Sequence, residues 1–99
     1  MTEVIRLIAV RGRVQGVGYR AWVEETADQL GLAGWVRNRR DGSVEALFAG
    51  PADVVADMIV RCQRGPLSAT VEALTETDGT ADMLDLAPPD EPFAVLPTL

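Results

Sequence analysis

The sequence predicts an α+β sandwich of order βαββαβ, with two helices on one face of an antiparallel sheet and a possible short fifth strand. Three patterns carry that prediction. Short stretches alternate apolar and polar residues, two longer stretches space apolar residues at the helical period, and glycine- or proline-bearing turns separate them.

The first strand runs on from Ile8, where Ile8, Val10 and Val14, with Gly12 in register, alternate with Leu7, Ala9, Arg11 and Arg13. Gly16 and Gly18 then bracket Val17, and the spacing changes to Trp22, Val23, Ala27 and Leu30, one face of a helix that Gly31 can end. Trp35–Asn38 and Ser43–Phe48 read as a hairpin, with Asp41-Gly42 supplying the residues that tolerate positive φ in its turn. Gly50-Pro51 opens a second helix whose stripe is Val54, Val55, Met58, Ile59 and Cys62, ended by Gly65. Ala69–Thr75 forms a fourth strand. Thr77–Pro92 is acidic and holds Gly79, Pro88, Pro89 and Pro92, so a surface loop is expected there, with Phe93–Leu96 as the optional closing strand.

This order places the chemistry. In a split βαβ unit the first two strands run parallel with the third inserted between them, so their C-terminal ends share one sheet edge. That edge receives both the Gln15–Tyr19 loop and Asn38. With strands about 4.8 Å apart, the two features lie roughly 10 Å from one another, room for a phosphate and a water.

Ninety-nine residues with 47% hydrophobic content suffice for one domain, expected to span residues 1–99. No apolar run is long enough to cross a membrane, and the first residues lack the pattern of a secretion signal, so a cytoplasmic protein is expected. Cys62 is the single cysteine and there is no histidine, which leaves neither a disulfide nor a Cys/His zinc site; no metal or other cofactor is expected. All nine basic residues are arginine, which removes Schiff-base lysines and the lysine of a P-loop. The charge is uneven: residues 1–64 hold all nine arginines against eight acids, whereas residues 65–99 hold seven acids and no base. An anion site therefore belongs in the first two thirds, and the net charge of −6 argues against nonspecific nucleic-acid binding.

Residues 12–20 read GRVQGVGYR, a glycine turn feeding a helix, where free N–H groups and the helix dipole converge on a point suited to an anion. Arg20, in the first helical turn, can offer a planar charged fork to two phosphate oxygens. Taken alone, such a loop is more often just a tight turn beside a solvated arginine. Residues 34–46 read GWVRNRRDGSVEA, and Asn38 is unfavourable in a strand unless its amide has a task. Alone, it could simply begin the turn by bonding its own backbone. Their shared sheet edge is what favours a site.

At this separation, GRVQGVGYR and GWVRNRRDGSVEA resemble the two signature segments of the acylphosphatase family. The similarity spans nearly the whole chain and includes the pairs Gly50-Pro51 and Gly65-Pro66. It implies the ferredoxin-like form of the βαββαβ sandwich and hydrolysis of small acyl phosphates. By the same resemblance Arg20 is the phosphate-binding arginine, the Gln15–Tyr19 backbone (Gln15, Gly16, Val17, Gly18, Tyr19) is the phosphate cradle, and Asn38 orients the attacking water. Inorganic phosphate is then expected as product and competitive inhibitor, and the protein as a monomer. The acidic stretch Thr77–Pro92 has no clear family pattern. A carboxylate leaving group departs without a proton, so such a reaction needs positioning and charge more than acid catalysis or a covalent nucleophile.

Cys62 lies on the apolar stripe of helix two and is read as core; a cysteine-nucleophile phosphatase would have Arg six residues later, where this chain has Ser68. Arg37, Arg39 and Arg40 read as a solvated turn with some contribution to anion steering, and Trp22 and Trp35 as packing residues. Tyr19 is expected to contribute its backbone. An RNA-recognition module shares the strand order but stacks bases on aromatics of its central strands, where this chain offers only Phe48. The acylphosphatase-like domain of hydrogenase-maturation carbamoyltransferases continues into zinc fingers that are not found here. A noncatalytic anion-binding domain is disfavoured by the intact Arg20 and Asn38.

Overall fold

The computed structural model describes residues 2–99. The elements in chain order are β1 (Glu3–Arg13), α1 (Tyr19–Gln29), β2 (Ala33–Asn38), β3 (Val44–Pro51), α2 (Ala52–Arg64), β4 (Thr70–Asp78), α3 (Ala81–Leu84) and β5 (Phe93–Val95). They form one five-stranded sheet in the order β4-β1-β3-β2-β5. β3 pairs antiparallel with both β1 and β2, so β1 and β2 run parallel with β3 between them, as the split βαβ order requires. β4 pairs antiparallel with the other edge of β1.

Alternation along the strands divides the core in two. Ile8, Val10, Val36, Val44, Ala46 and Phe48 point to the face covered by α1 and α2 and meet Val23, Ala27, Val55, Met58, Ile59 and Cys62 there. Truncating a ring such as Phe48, fully buried in this cluster, costs about 3–5 kcal/mol in comparable cores. Pro51, expected in the first turn of helix two, immediately precedes α2 instead, and its fixed φ suits that entry.

Two expectations are corrected. The sheet is mixed rather than antiparallel throughout, because β5 pairs parallel with β2, Gly34 opposite Phe93 through Val36 opposite Val95. The chain returns from β4 across the second face of the sheet, and so enters the β2 edge running the same way as β2. The acidic segment 77–92 is also not simply a surface loop. Its first residues extend β4 to Asp78, where Glu76 and Asp78 pair with Arg6 of β1. The helical turn Ala81–Leu84 then follows, with the Thr80 hydroxyl accepting from the Met83 N–H. Met83, Leu84 and Ala87 pack on Trp35, Leu47 and Ala94, a smaller core on the face away from α1 and α2. The Trp35 indole donates to the Met83 carbonyl at 2.7 Å.

Candidate active site

The C-terminal ends of β1 and β2 open onto a cleft of about 270 Å³ lined by Val14, Gly16, Gly18, Tyr19, Arg20, Ala21, Glu24, Asn38 and Val95. The two features expected on one sheet edge are therefore walls of one cavity. Of the residues expected in the phosphate cradle, Gly16, Gly18, Tyr19 and Arg20 line it, and Gln15 and Val17 do not.

The local backbone explains why this loop presents donors. Gly16 and Gly18 have φ of 74° and 84°, in the left-handed region that favours glycine. A Cβ added at either would meet nothing within 4 Å, so conformation rather than crowding selects glycine here. Gly18 caps α1 with no side-chain cap, no acid occupies the first turn, and the first helical bond runs from the Trp22 N–H to the Gly18 carbonyl. The N–H groups of residues 16–20 consequently have no acceptor among the described residues. Five donors beside a helix N-terminus form a region of positive potential. Arg20, a half-buried residue, adds a cation that forms no ion pair among the described residues.

The loop is anchored from behind. The Ser68 hydroxyl, from the segment between α2 and β4, donates to the Val17 carbonyl at 2.6 Å, and the Gln15 amide nitrogen donates to the carbonyls of Arg39 and Ser43 at 2.7 and 2.8 Å. Tyr19 contributes more than backbone: its ring is buried, and its hydroxyl donates to the Cys62 carbonyl at 2.6 Å, fixing the start of α1 to the end of α2. Burial, with Cys62 beside it, pushes that hydroxyl's pKa upward.

Asn38 ends β2 and forms another part of the cleft wall. Its Oδ1 is enclosed and accepts no hydrogen bond, the one buried side-chain nitrogen or oxygen so placed among the described residues. Burying an unpaired oxygen costs about 1–3 kcal/mol, an arrangement seen where a polar group is kept for a task. The backbone of Asn38 is held on both sides, by pairing with β3 and by the Leu99 N–H, which donates to the Asn38 carbonyl at 3.2 Å.

The neighbouring arginines are less free than the solvated-turn reading expects. Arg37 pairs with Glu45 at 2.7 Å and lies over the Trp35 ring, 4.6 Å from its centroid; Arg39 reaches the same carboxylate at 3.4 Å. Arg40 is exposed. Asp41, in the turn, accepts from the Ser43 hydroxyl and N–H at 2.6 and 2.9 Å, and these bonds, helped by Arg11, hold its pKa down at about 2. Cys62 is buried, and burial pushes its thiol up to about 12, as a core residue rather than a nucleophile would have it. Phe48, the aromatic that a base-stacking surface would need, is buried under the helices. Among the described residues no group of three or more His, Cys, Asp or Glu is placed to hold a metal ion, and no helix is long and apolar enough to cross a membrane.

Sequence reasoning missed Val14, Ala21, Glu24 and Val95 as cleft residues. Glu24 had a signal, since it lies one turn after Arg20 on the same helix face. Val95 had none, because β5 reaches the cleft only through its pairing with β2.

A family model described as acylphosphatase matches residues 7–84. An acylphosphatase of Rhodopseudomonas palustris (strain BisB18) is 63% identical over 99 residues, covering 100% of both chains. A crystal structure of acylphosphatase from Bacillus subtilis superposes with a TM-score of 0.81 at 33% identity, covering 94% of this chain and 98% of that one. Full-length HypF, in a phosphate- and nucleotide-bound form, also has a TM-score of 0.81, at 19% identity and over 12% of its own length, a likeness of fold alone. With the family model covering most of its length and a relative this similar from end to end, the chain belongs to the acylphosphatase family.

Proposed function

We propose that this protein hydrolyses the carboxyl–phosphate bond of small acyl phosphates to a carboxylate and inorganic phosphate. Arg20 and the backbone of residues 15–19 hold the phosphate, and Asn38 orients the attacking water. The observation that carries the reading is the single cleft in which uncapped N–H donors and Arg20 share a wall with an asparagine whose Oδ1 has no partner. Family membership supports the substrate class.

In this mechanism the phosphoryl group sits against the free N–H groups of the loop, with two of its oxygens on the Arg20 fork. The Asn38 amide group donates to the water through its NH₂ end and holds it in line with the bond to be broken. The water oxygen forms a bond to phosphorus, the bridging P–O bond breaks, and its electron pair leaves on the carboxylate. The water's proton passes to a phosphoryl oxygen. Charge spread over the equatorial oxygens is stabilised by the fixed donors, which need no reorganisation during the step. Neither a metal nor another cofactor enters the scheme. The reading also carries one domain over residues 1–99, of which Met1 lies outside the described residues.

The test is hydrolysis of benzoyl phosphate by purified protein, with a phosphomonoester as control. Release of benzoate and phosphate from the first substrate only is expected, with inorganic phosphate inhibiting competitively. Noncompetitive inhibition would put the phosphate site elsewhere, and equal cleavage of the monoester would remove the proposed role of the leaving group.

A further inference from the structure

We propose that the Gln15 side chain is a positioning residue for Asn38, tying the phosphate loop to the turn that follows the asparagine; the inference rests on the functional reading above. The Gln15 Nε2 lies 2.7 Å from the Arg39 carbonyl and 2.8 Å from the Ser43 carbonyl. Both partners are acceptors, so the NH₂ end of the amide faces them and both its hydrogens are used. The same two residues close the hairpin, since the Arg39 N–H donates to the Ser43 carbonyl at 2.9 Å and the Gly42 N–H to the Arg39 carbonyl at 3.1 Å. Arg39 directly follows Asn38, so the tie ends one residue from the amide that holds the water.

Topology makes the tie necessary. β1, which delivers the phosphate loop, does not touch β2, which delivers Asn38; β3 separates them. The β1–β3 ladder ends at Val10 opposite Val44, and the β2–β3 ladder ends at Asn38 opposite the same Val44. Beyond that rung no backbone pairing links the two walls of the cleft, and the Gln15 side chain spans the gap. In-line attack is sensitive to such a spacing: a misplacement of about 1 Å can cost roughly a hundredfold in rate. Phosphate binding itself depends on Arg20 and the loop N–H groups, which the Gln15 side chain does not supply.

The experiment is a double-mutant cycle on kcat for benzoyl phosphate, with the inhibition constant of inorganic phosphate measured beside it. Gln15→Met keeps length and volume without donors. It should lower kcat about tenfold or more in the wild-type background while moving the phosphate constant less than about threefold, and should change kcat less than about twofold in the Asn38→Ala background, where nothing remains to be positioned. Gln15→Lys restores N–H donors at similar reach and should recover part of the kcat that Gln15→Met loses. Equal losses in both backgrounds, a phosphate constant that rises as far as kcat falls, or a Gln15→Lys as slow as Gln15→Met would each overturn the proposal. If the wild-type protein leaves benzoyl phosphate intact, the functional reading fails first and takes this one with it; an active wild type with an additive cycle removes only the positioning role.

Discussion

The cleft edge and the acidic cover on the opposite sheet face are both short irregular segments, yet they are held in opposite ways. At the cleft, residues 15–20 and 38–43 are fixed from behind by polar bonds from Gln15, Ser68 and Asp41, which leaves the loop N–H groups without acceptors among the described residues. On the far face, the segment around α3 is held by burying Met83, Leu84 and Ala87, with one polar bond from Trp35. Polar anchoring can be arranged so that donors remain free for a ligand, whereas apolar anchoring consumes the segment in closing the core. Changes at the two places should therefore separate turnover from stability.

The largest effect is expected at Asn38. Asn38→Ala should lower turnover of benzoyl phosphate by at least about a hundredfold, near 2.7 kcal/mol of transition-state stabilisation, with phosphate affinity nearly unchanged. Its melting temperature should not fall, because the substitution removes an unpaired buried oxygen. Loss of phosphate binding in a folded variant, or full turnover, would end the role assigned to this residue. Arg20→Lys comes next. It keeps the charge and loses the planar fork, so phosphate should bind about tenfold more weakly in calorimetry and turnover should slow with it. Unchanged affinity would mean that the fork does not hold the phosphate.

Across the sheet, Trp35→Phe deletes the indole donor and leaves the Met83 carbonyl without it. A stability loss of about 1–2 kcal/mol by denaturant titration is expected, with kcat within about twofold of wild type. A loss of turnover comparable to that at the cleft would break the distinction between the two regions.

The smallest effect is at Asp41, whose bonds to Ser43, with help from Arg11, lower its pKa from 3.8 to about 2. A depressed carboxylate stabilises the folded state above its ordinary pKa, and that contribution is lost as pH falls from about 4 towards 2. Because the group is exposed, the effect should be small. Melting curves of wild type and Asp41→Ala should differ slightly at pH 5 and converge towards pH 2; a gap that widens on acidification would contradict the assigned sign.

Much of this architecture follows from the sequence through local, repeating constraints. Alternation at Ile8, Val10 and Val14, the stripe from Val55 to Cys62, and the glycines around Val17 each act over a few residues, so strand, helix and turn are readable without knowing the partners. The split βαβ order then places the loop before Arg20 beside Asn38, because β3 lies between two strands of the same direction. What stayed hidden depends on distant partners. Met83 and Leu84 sit in a four-residue helix, too short to show a period, so nothing local distinguishes that turn from a solvated loop. The direction of β5 is set by the route of the preceding segment, and the Tyr19 hydroxyl finds Cys62 only once the two helices meet. The Gln15 amide shows its use only when folding brings the Arg39 and Ser43 carbonyls within 2.7 and 2.8 Å of it. Side-chain hydrogen bonds act over about 3 Å, and between residues far apart in the chain that proximity is produced by the packed fold alone.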